Sequence, residues 1–178
     1  MKHSACTVSV CGKIATAESG QAAMEFALIV TLMLVLFFIV VDFGRAIHDL
    51  QVIAGLSRQG SNLASRGTSL PDSATAVLAG DPTLNLSNNG EVIITSVSNI
   101  NRVYTITGQV SQGKITQTSR VGNGLGSRAT LPSSVATMLG PGQTIYITEV
   151  FYSYQPITPL KNLLKLALPS TLYQAAYF

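Results

Sequence analysis

The apolar and polar positions divide this chain into two regimes. From Phe26 to Val41 no residue is charged and only Thr31 is polar, and the run is closed by Glu25 and Asp42. With Ala22, Ala23, Met24 and Phe43 it reaches about 22 residues, or about 33 Å of helix, enough to cross a bilayer. Beyond Gly44 the apolar and small positions fall at three- and four-residue steps. Phe43, Ile47, Leu50, Ala54, Ser57, Ser61 and Ala64 predict a helical stripe that ends at Ser65-Arg66-Gly67-Thr68 and Pro71. Gly55 and Gly60 lie near the stripe and permit close approach. Two uses of it are open: packing on the protein's own domain, or helix–helix assembly.

After residue 68 the period shortens towards two. Residues 68–90 read as a connection with one short helix around Ala74–Leu78. Asn89-Gly90 is a turn signal, and Val92–Val97 reads as a strand. Arg102–Val110 and Lys114–Val121 suggest a hairpin turning at Ser111-Gln112-Gly113. Gln143–Tyr154 is the strongest strand, with Ile145, Ile147 and Phe151 alternating with Tyr146, Thr148, Val150 and Tyr152. Glu149 falls on the Ile145 and Ile147 side, either as an edge charge or as a buried partner of Arg or Lys. A short helix is expected at Lys161–Leu168 and a last strand at Thr171–Phe178. The architecture is therefore α+β: a long N-terminal helix with an amphipathic extension, then a small antiparallel sheet.

Composition sharpens this picture. Hydrophobic residues make up 47% and charged residues 11%, against about 25% charged in a soluble globular protein, so the chain is expected to meet a membrane. The net charge is +3, but the basic residues are dispersed, which argues against a nucleic-acid partner. Lys2 and Lys13 compete with Arg45 and Arg58, so charge counting leaves the topology open. A cleaved secretory signal is the competing reading of the apolar run. Such signals have a shorter apolar region followed by small residues, whereas Asp42-Phe43-Gly44-Arg45 follows here. Both cysteines, Cys6 and Cys11, precede the run, so a chain that loses its N-terminus has no thiol chemistry.

Candidate chemistry is sparse. His48 is a lone helix histidine and His3 lies at the N-terminus, so neither metal nor cofactor is expected. Gly122-Asn123-Gly124-Leu125-Gly126 has the composition of a phosphate loop without the Gly-Lys-Ser/Thr that would complete it, and reads as a flexible loop. No pattern of an enzyme is present. Asp42 and Arg45 are spaced to pair across one helical turn at the membrane edge. Glu25, a carboxylate at the membrane entrance, is compatible with headgroup placement that complements the helix dipole.

Gly20, four residues, then Glu25-Phe26 on an apolar helix resembles the processing site of type IV pilins and pseudopilins. The stretch from Gly20 to Ile47, with Ala22, Ala23, Glu25, Phe26, Ala27 and Leu28 before the span and Asp42-Phe43-Gly44-Arg45-Ala46 after it, resembles the N-terminal segment of TadE-like proteins. These are minor pseudopilins of tight-adherence (Flp) pilus systems. Downstream, the segment from Glu149 through Tyr152, Tyr154 and Pro156 to Pro159-Leu160 is similar to a second segment of that family.

The resemblance implies a pilin-like plan in four parts. Residues 1–20 form a cytoplasmic leader, cut by a prepilin peptidase between Gly20 and Gln21. Residues 21–43 form the transmembrane helix in the bacterial inner membrane, residues 44–67 its helical extension, and residues 68–178 an extracytoplasmic domain. Glu25, beside Phe26, is then expected to neutralise the new N-terminal ammonium of a neighbouring subunit. The implied partners are the peptidase, sibling pseudopilins, the major pilin and the inner-membrane assembly platform. The rival reading is an uncleaved single-pass anchor holding a small extracytoplasmic binding or sensory domain, which needs neither the cut nor the carboxylate.

Overall fold

The computed structural model describes residues 8–159 and 169–178, with side chains from Gly20 onward; the helix expected at Lys161–Leu168 lies outside the described residues. A single helix, α1, runs from Val8 to Ser65. It ends in a Schellman cap. Gly67 takes the left-handed conformation (φ 92°), while its N–H donates to Ala64 O (3.1 Å) and that of Thr68 to Leu63 O (3.2 Å). Helices α2 (Leu70–Ala79) and α3 (Leu86–Asn89) follow. Ser69 caps α2 by accepting from Asp72 N. This helix starts before the Ala74–Leu78 expected, because Pro71 fits the first turn where no amide is needed.

Four strands, β1 (Gly90–Ile100), β2 (Val103–Gly113), β3 (Thr144–Ser153) and β4 (Thr171–Tyr177), form one antiparallel sheet in the order β2-β1-β3-β4. A short helix, α4 (Ser133–Met138), precedes β3. The α+β layout holds, but the hairpin is placed differently. β2 pairs with β1, from Ile100 opposite Val103 to Glu91 opposite Gly113. Its turn is Asn101-Arg102, both left-handed at φ 52° and 66°, the geometry of a two-residue type I′ turn. Gly113 ends β2 rather than turning a hairpin. A Cβ there would fall 2.3 Å from Gly90 O. Residues 114–121 are therefore no strand; with the residues up to Leu131 they form a strap across one face of the sheet.

Both faces of the sheet are covered. On one side α1 lies over β3 and β4 while α2 lies over β1 and β2, burying Ile53, Leu56, Val77, Leu86, Val92, Ile94 and Val150. On the other side Val121 and Ala129 of the strap pack with Val97, Ile106 and Ile147. That double cover explains why β1 is buried along nearly its whole length instead of alternating.

The helix stripe is rotated from the one expected. Its buried positions are Asp42, Ala46, Asp49, Ile53, Leu56, Ser57, Gly60, Ser61 and Ala64. Ser57, Ser61 and Ala64 were on the expected stripe, but Phe43 (52% exposed) and Ile47 (43%) point away from the domain. Small or hydrogen-bonded side chains on the inner face let the helix lie close to the sheet. Gly60 is the tightest point, since a Cβ would lie 2.8 Å from Thr148 and Val77 side chains, whereas Gly55 faces open space.

Candidate functional site

From Gly20 to Leu34 the side chains of α1 are exposed, with no cover from the described residues of the domain. Met24, Phe26 and Leu28 are 68–71% exposed, and exposed apolar side chains continue through Val40. The segment from Gly20 is long and apolar enough to cross a membrane, with a mean hydropathy of 2.9 in its most apolar stretch. Gly20, Gln21, Glu25 and Phe26 lie together at its start. Gln21 Nε2 donates to Glu25 Oε1 (3.2 Å), one turn apart, and no other described side chain bonds the carboxylate.

At Asp42 the environment inverts. This residue is fully buried, and its carboxylate accepts from Ile157 N (3.2 Å) and from the Thr158 hydroxyl. The Asp42 carbonyl accepts from Tyr154 OH (2.8 Å). The two sequence segments that carry the family resemblance, far apart in the chain, thus meet at the edge of the apolar span. Pro156 is half-buried at this junction and Pro159 exposed. The expected Asp42–Arg45 pair does not form: Arg45 is exposed, and the carboxylate is engaged by the chain after β3 instead. Two donors fixed by the fold hold a carboxylate better than one mobile guanidinium near water, where such a pair contributes only tenths of a kcal/mol. Burial raises the titration of the Tyr152 and Tyr154 phenols, with Asp49 adding to the effect at Tyr152 and Asp42 at Tyr154.

Further into the domain a hydroxyl of α1 enters the sheet. Thr148 and Ala176 are register partners on β3 and β4. Thr148 N donates to Ser61 Oγ (3.0 Å), which donates to Ala176 O (2.9 Å). The helix is thereby fastened to the two strands it covers.

Glu149 is neither an edge charge nor an ion-pair partner. It sits on an interior strand, fully buried, and accepts from Arg120 N (2.9 Å), Tyr173 OH (2.9 Å) and the Ser119 hydroxyl. The Arg120 guanidinium lies over the Tyr173 ring, 3.8 Å from its centroid, as a cation–π contact. Burial, then the Glu149 charge, pushes the Tyr173 phenol far above its ordinary range. A second buried carboxylate, Glu91, accepts from the Ser111 hydroxyl and from Gln117 N. Together the two acids tie down the strap. The glycine segment 122–126 is anchored as well: Gln109 donates to Gly122 O (2.8 Å) and accepts from Gly124 N (3.1 Å).

Sequence reasoning singled out Asp42 and Glu149 but missed Thr158, Ser61, Ser119 and Glu91. Ser61 lies on the helical stripe and Thr158 between Pro156 and Pro159, and neither position marks its hydroxyl as a hydrogen-bonding group. Glu91 lies between the Asn89-Gly90 turn signal and the β-branched run that follows it, with nothing in the sequence to mark it as buried. Asp42, Glu91 and Glu149 are all buried, and each accepts at least two hydrogen bonds. His48 is exposed, with its Nδ1 3.6 Å from Asp49, and pairs with it when protonated. Among the described residues no group of three His, Cys, Asp or Glu side chains is arranged to hold a metal. The arrangement joins an exposed apolar helix to a small folded domain.

No curated protein and no solved structure matches the chain. Residues 20–62, from the bare start of the helix to the serine that enters the sheet, match the model of the family described as TadE-like protein, the family that the sequence resembles.

Proposed function

We propose that this chain is a non-enzymatic minor pseudopilin that takes part in assembling a Flp (tight-adherence) pilus or a related secretion apparatus. The observation that carries this reading is the family match laid on a helix of two halves, one bare and apolar, the other the spine of a folded domain. A subunit that is drawn out of a membrane into an assembly needs that construction. The helix must be free to pack against neighbours, and the domain must follow it without unfolding. On this reading a prepilin peptidase cuts between Gly20 and Gln21, and the domain after Asp42 lies outside the cytoplasmic membrane. Glu25 then pairs with the new N-terminal ammonium of a neighbour in a low-dielectric helix bundle.

The test is the intact mass of membrane-extracted protein co-expressed with its cognate peptidase. The reading expects a chain beginning at Gln21, with or without cyclisation of that residue. A full-length chain under those conditions would contradict it and leave the uncleaved single-pass anchor. In the same system Glu25→Gln is expected to be processed normally but to lose cross-links to sibling subunits at least a hundredfold. Removing one member of a buried ion pair costs about 3–5 kcal/mol.

A further inference from the structure

The two edges of the sheet are finished differently. On β2 the outward peptide groups near the turn are already used: Ile106 N donates to Ser127 O (3.0 Å), Gly126 N to Ile106 O (2.8 Å) and Ala129 N to Tyr104 O (2.8 Å). That strand also carries a bulge opposite Ser96 and Val97. On β4, Tyr146 and Phe178 exchange both backbone hydrogen bonds (2.8 and 2.9 Å), and Tyr154 N donates to Ser170 O (3.1 Å). The alternation of an antiparallel ladder then turns the N–H and C=O of Thr171, Tyr173, Ala175 and Tyr177 away from β3. Among the described residues none of these outward groups has a hydrogen-bond partner. Edges of this kind are normally guarded by charge, proline or a bulge. Residues Thr171–Phe178 contain no charge and no proline, and their register with β3 is unbroken.

At the end of β4 away from the apolar span, a groove of about 470 Å³ opens between β4, the start of β3 and α4. Val135, Met138, Leu139, Ile145, Tyr177 and Phe178 line it, together with uncharged polar residues. Met138 is 81% exposed and Phe178 56%. Edge and groove adjoin, since Tyr177 belongs to both.

We propose that this edge and groove form one binding site for an extended, uncharged segment of another polypeptide, which pairs antiparallel with β4 and seats an apolar side chain in the groove. The repeat of the outward groups identifies the ligand class. Donor and acceptor recur every second residue, about 6.8 Å apart, the spacing of another strand's backbone. Main-chain bonds of this kind supply affinity and the side-chain pocket supplies selectivity. The cation beside this edge, Arg120, is already engaged with the Tyr173 ring, and a charged side chain seated in the groove would be desolvated among uncharged side chains.

The experiment is hydrogen exchange on the full chain in nanodiscs, with the blocked heptapeptide Thr-Phe-Thr-Val-Thr-Val-Thr as probe at millimolar concentration. In the free protein the amides of Tyr173, Ala175 and Tyr177 should exchange quickly, and the peptide should slow them at least tenfold. Two N-methylated versions of the peptide, blocked at alternate sets of amides, separate pairing from stickiness: one set should abolish the protection and the other retain it. Ala175→Pro, whose missing N–H belongs to the outer edge, should keep its melting temperature and bind at least tenfold more weakly. If that variant unfolds, the N-methylated pair decides alone. The proposal is overturned if the three amides are already protected in the free protein, because another part of this chain or a second copy covers them. Unchanged exchange with the peptide overturns it too, as does equal binding of both N-methylated peptides.

Discussion

The two halves of α1 are built from one continuous helix, yet they answer to different solvents. From Phe26 to Val41 the side chains are mostly large, apolar and exposed. After Asp42 the inward positions become mostly small or hydrogen-bonding: Ala46, Ser57, Gly60, Ser61 and Ala64, with Ile53 and Leu56 as the apolar anchors. Burial of large side chains drives ordinary helix docking. Here the membrane-facing half uses bulk, and the docked half uses closeness and a few internal hydrogen bonds. The lesson is that hydrophobicity marks the half of this helix that leaves the domain, not the half that holds it together.

The largest expected effects come from the buried carboxylates. Glu149→Ala leaves Tyr173, Ser119 and the Arg120 amide without their acceptor. At about 1–3 kcal/mol for each buried donor left unsatisfied, it should destabilise the domain by about 3–5 kcal/mol, read from chemical unfolding in detergent. Asp42→Ala removes the acceptor of Ile157 and Thr158 and should cost about 2–3 kcal/mol, with the loss concentrated in exchange protection around Tyr154–Thr158. If Asp42→Ala had no effect, the boundary between the two halves would not be held by this junction.

Glycine substitutions sharpen the contrast within the docked half. Gly60→Ala forces a methyl group against Thr148 and Val77 and should cost about 1–3 kcal/mol. Gly55→Ala meets nothing and should stabilise the isolated protein by about 0.5–1 kcal/mol through helix propensity. A smaller effect is expected from pH. The Tyr173 phenol is raised by burial and by Glu149, so the unfolded chain deprotonates first, near its ordinary value of about 10. The resulting stability is full below about pH 10 and is lost as pH climbs towards the folded value. Tyr173→Phe should flatten that alkaline slope, measured as unfolding free energy between pH 9 and 11.

Much of the layout was legible in the sequence, because it rests on strong periodic signals. The apolar run bounded by Glu25 and Asp42, the strand Thr144–Ser153 and the last strand each announce themselves. The helix stripe was legible in period but not in phase. Phe43 and Ile47 are the more apolar choice, and only the proximity of the sheet selects Asp42, Ala46 and Asp49 instead. The β1–β2 hairpin was missed because Asn101-Arg102 lacks the glycine usual in such turns, while Gly113, needed for a close backbone approach, imitates one. The role of Asp42 was hidden for another reason: its partners lie 115 and 116 residues away. Local spacing offers Arg45, and only the fold supplies Ile157 and Thr158.

The most direct test of the two-halved helix is a site-directed spin-label scan from residue 22 to residue 64 in bilayers, with Cys6 and Cys11 replaced. The account predicts labels open to lipid-soluble oxygen all around the helix from residue 26 to residue 41. From residue 42 onward it predicts protection with a period of 3.6, and Ala46, Ile53, Ser57, Ser61 and Ala64 should be shielded from both oxygen and polar relaxants. Periodic protection within residues 26–41 of the isolated protein, or uniform exposure after Asp42, would contradict it.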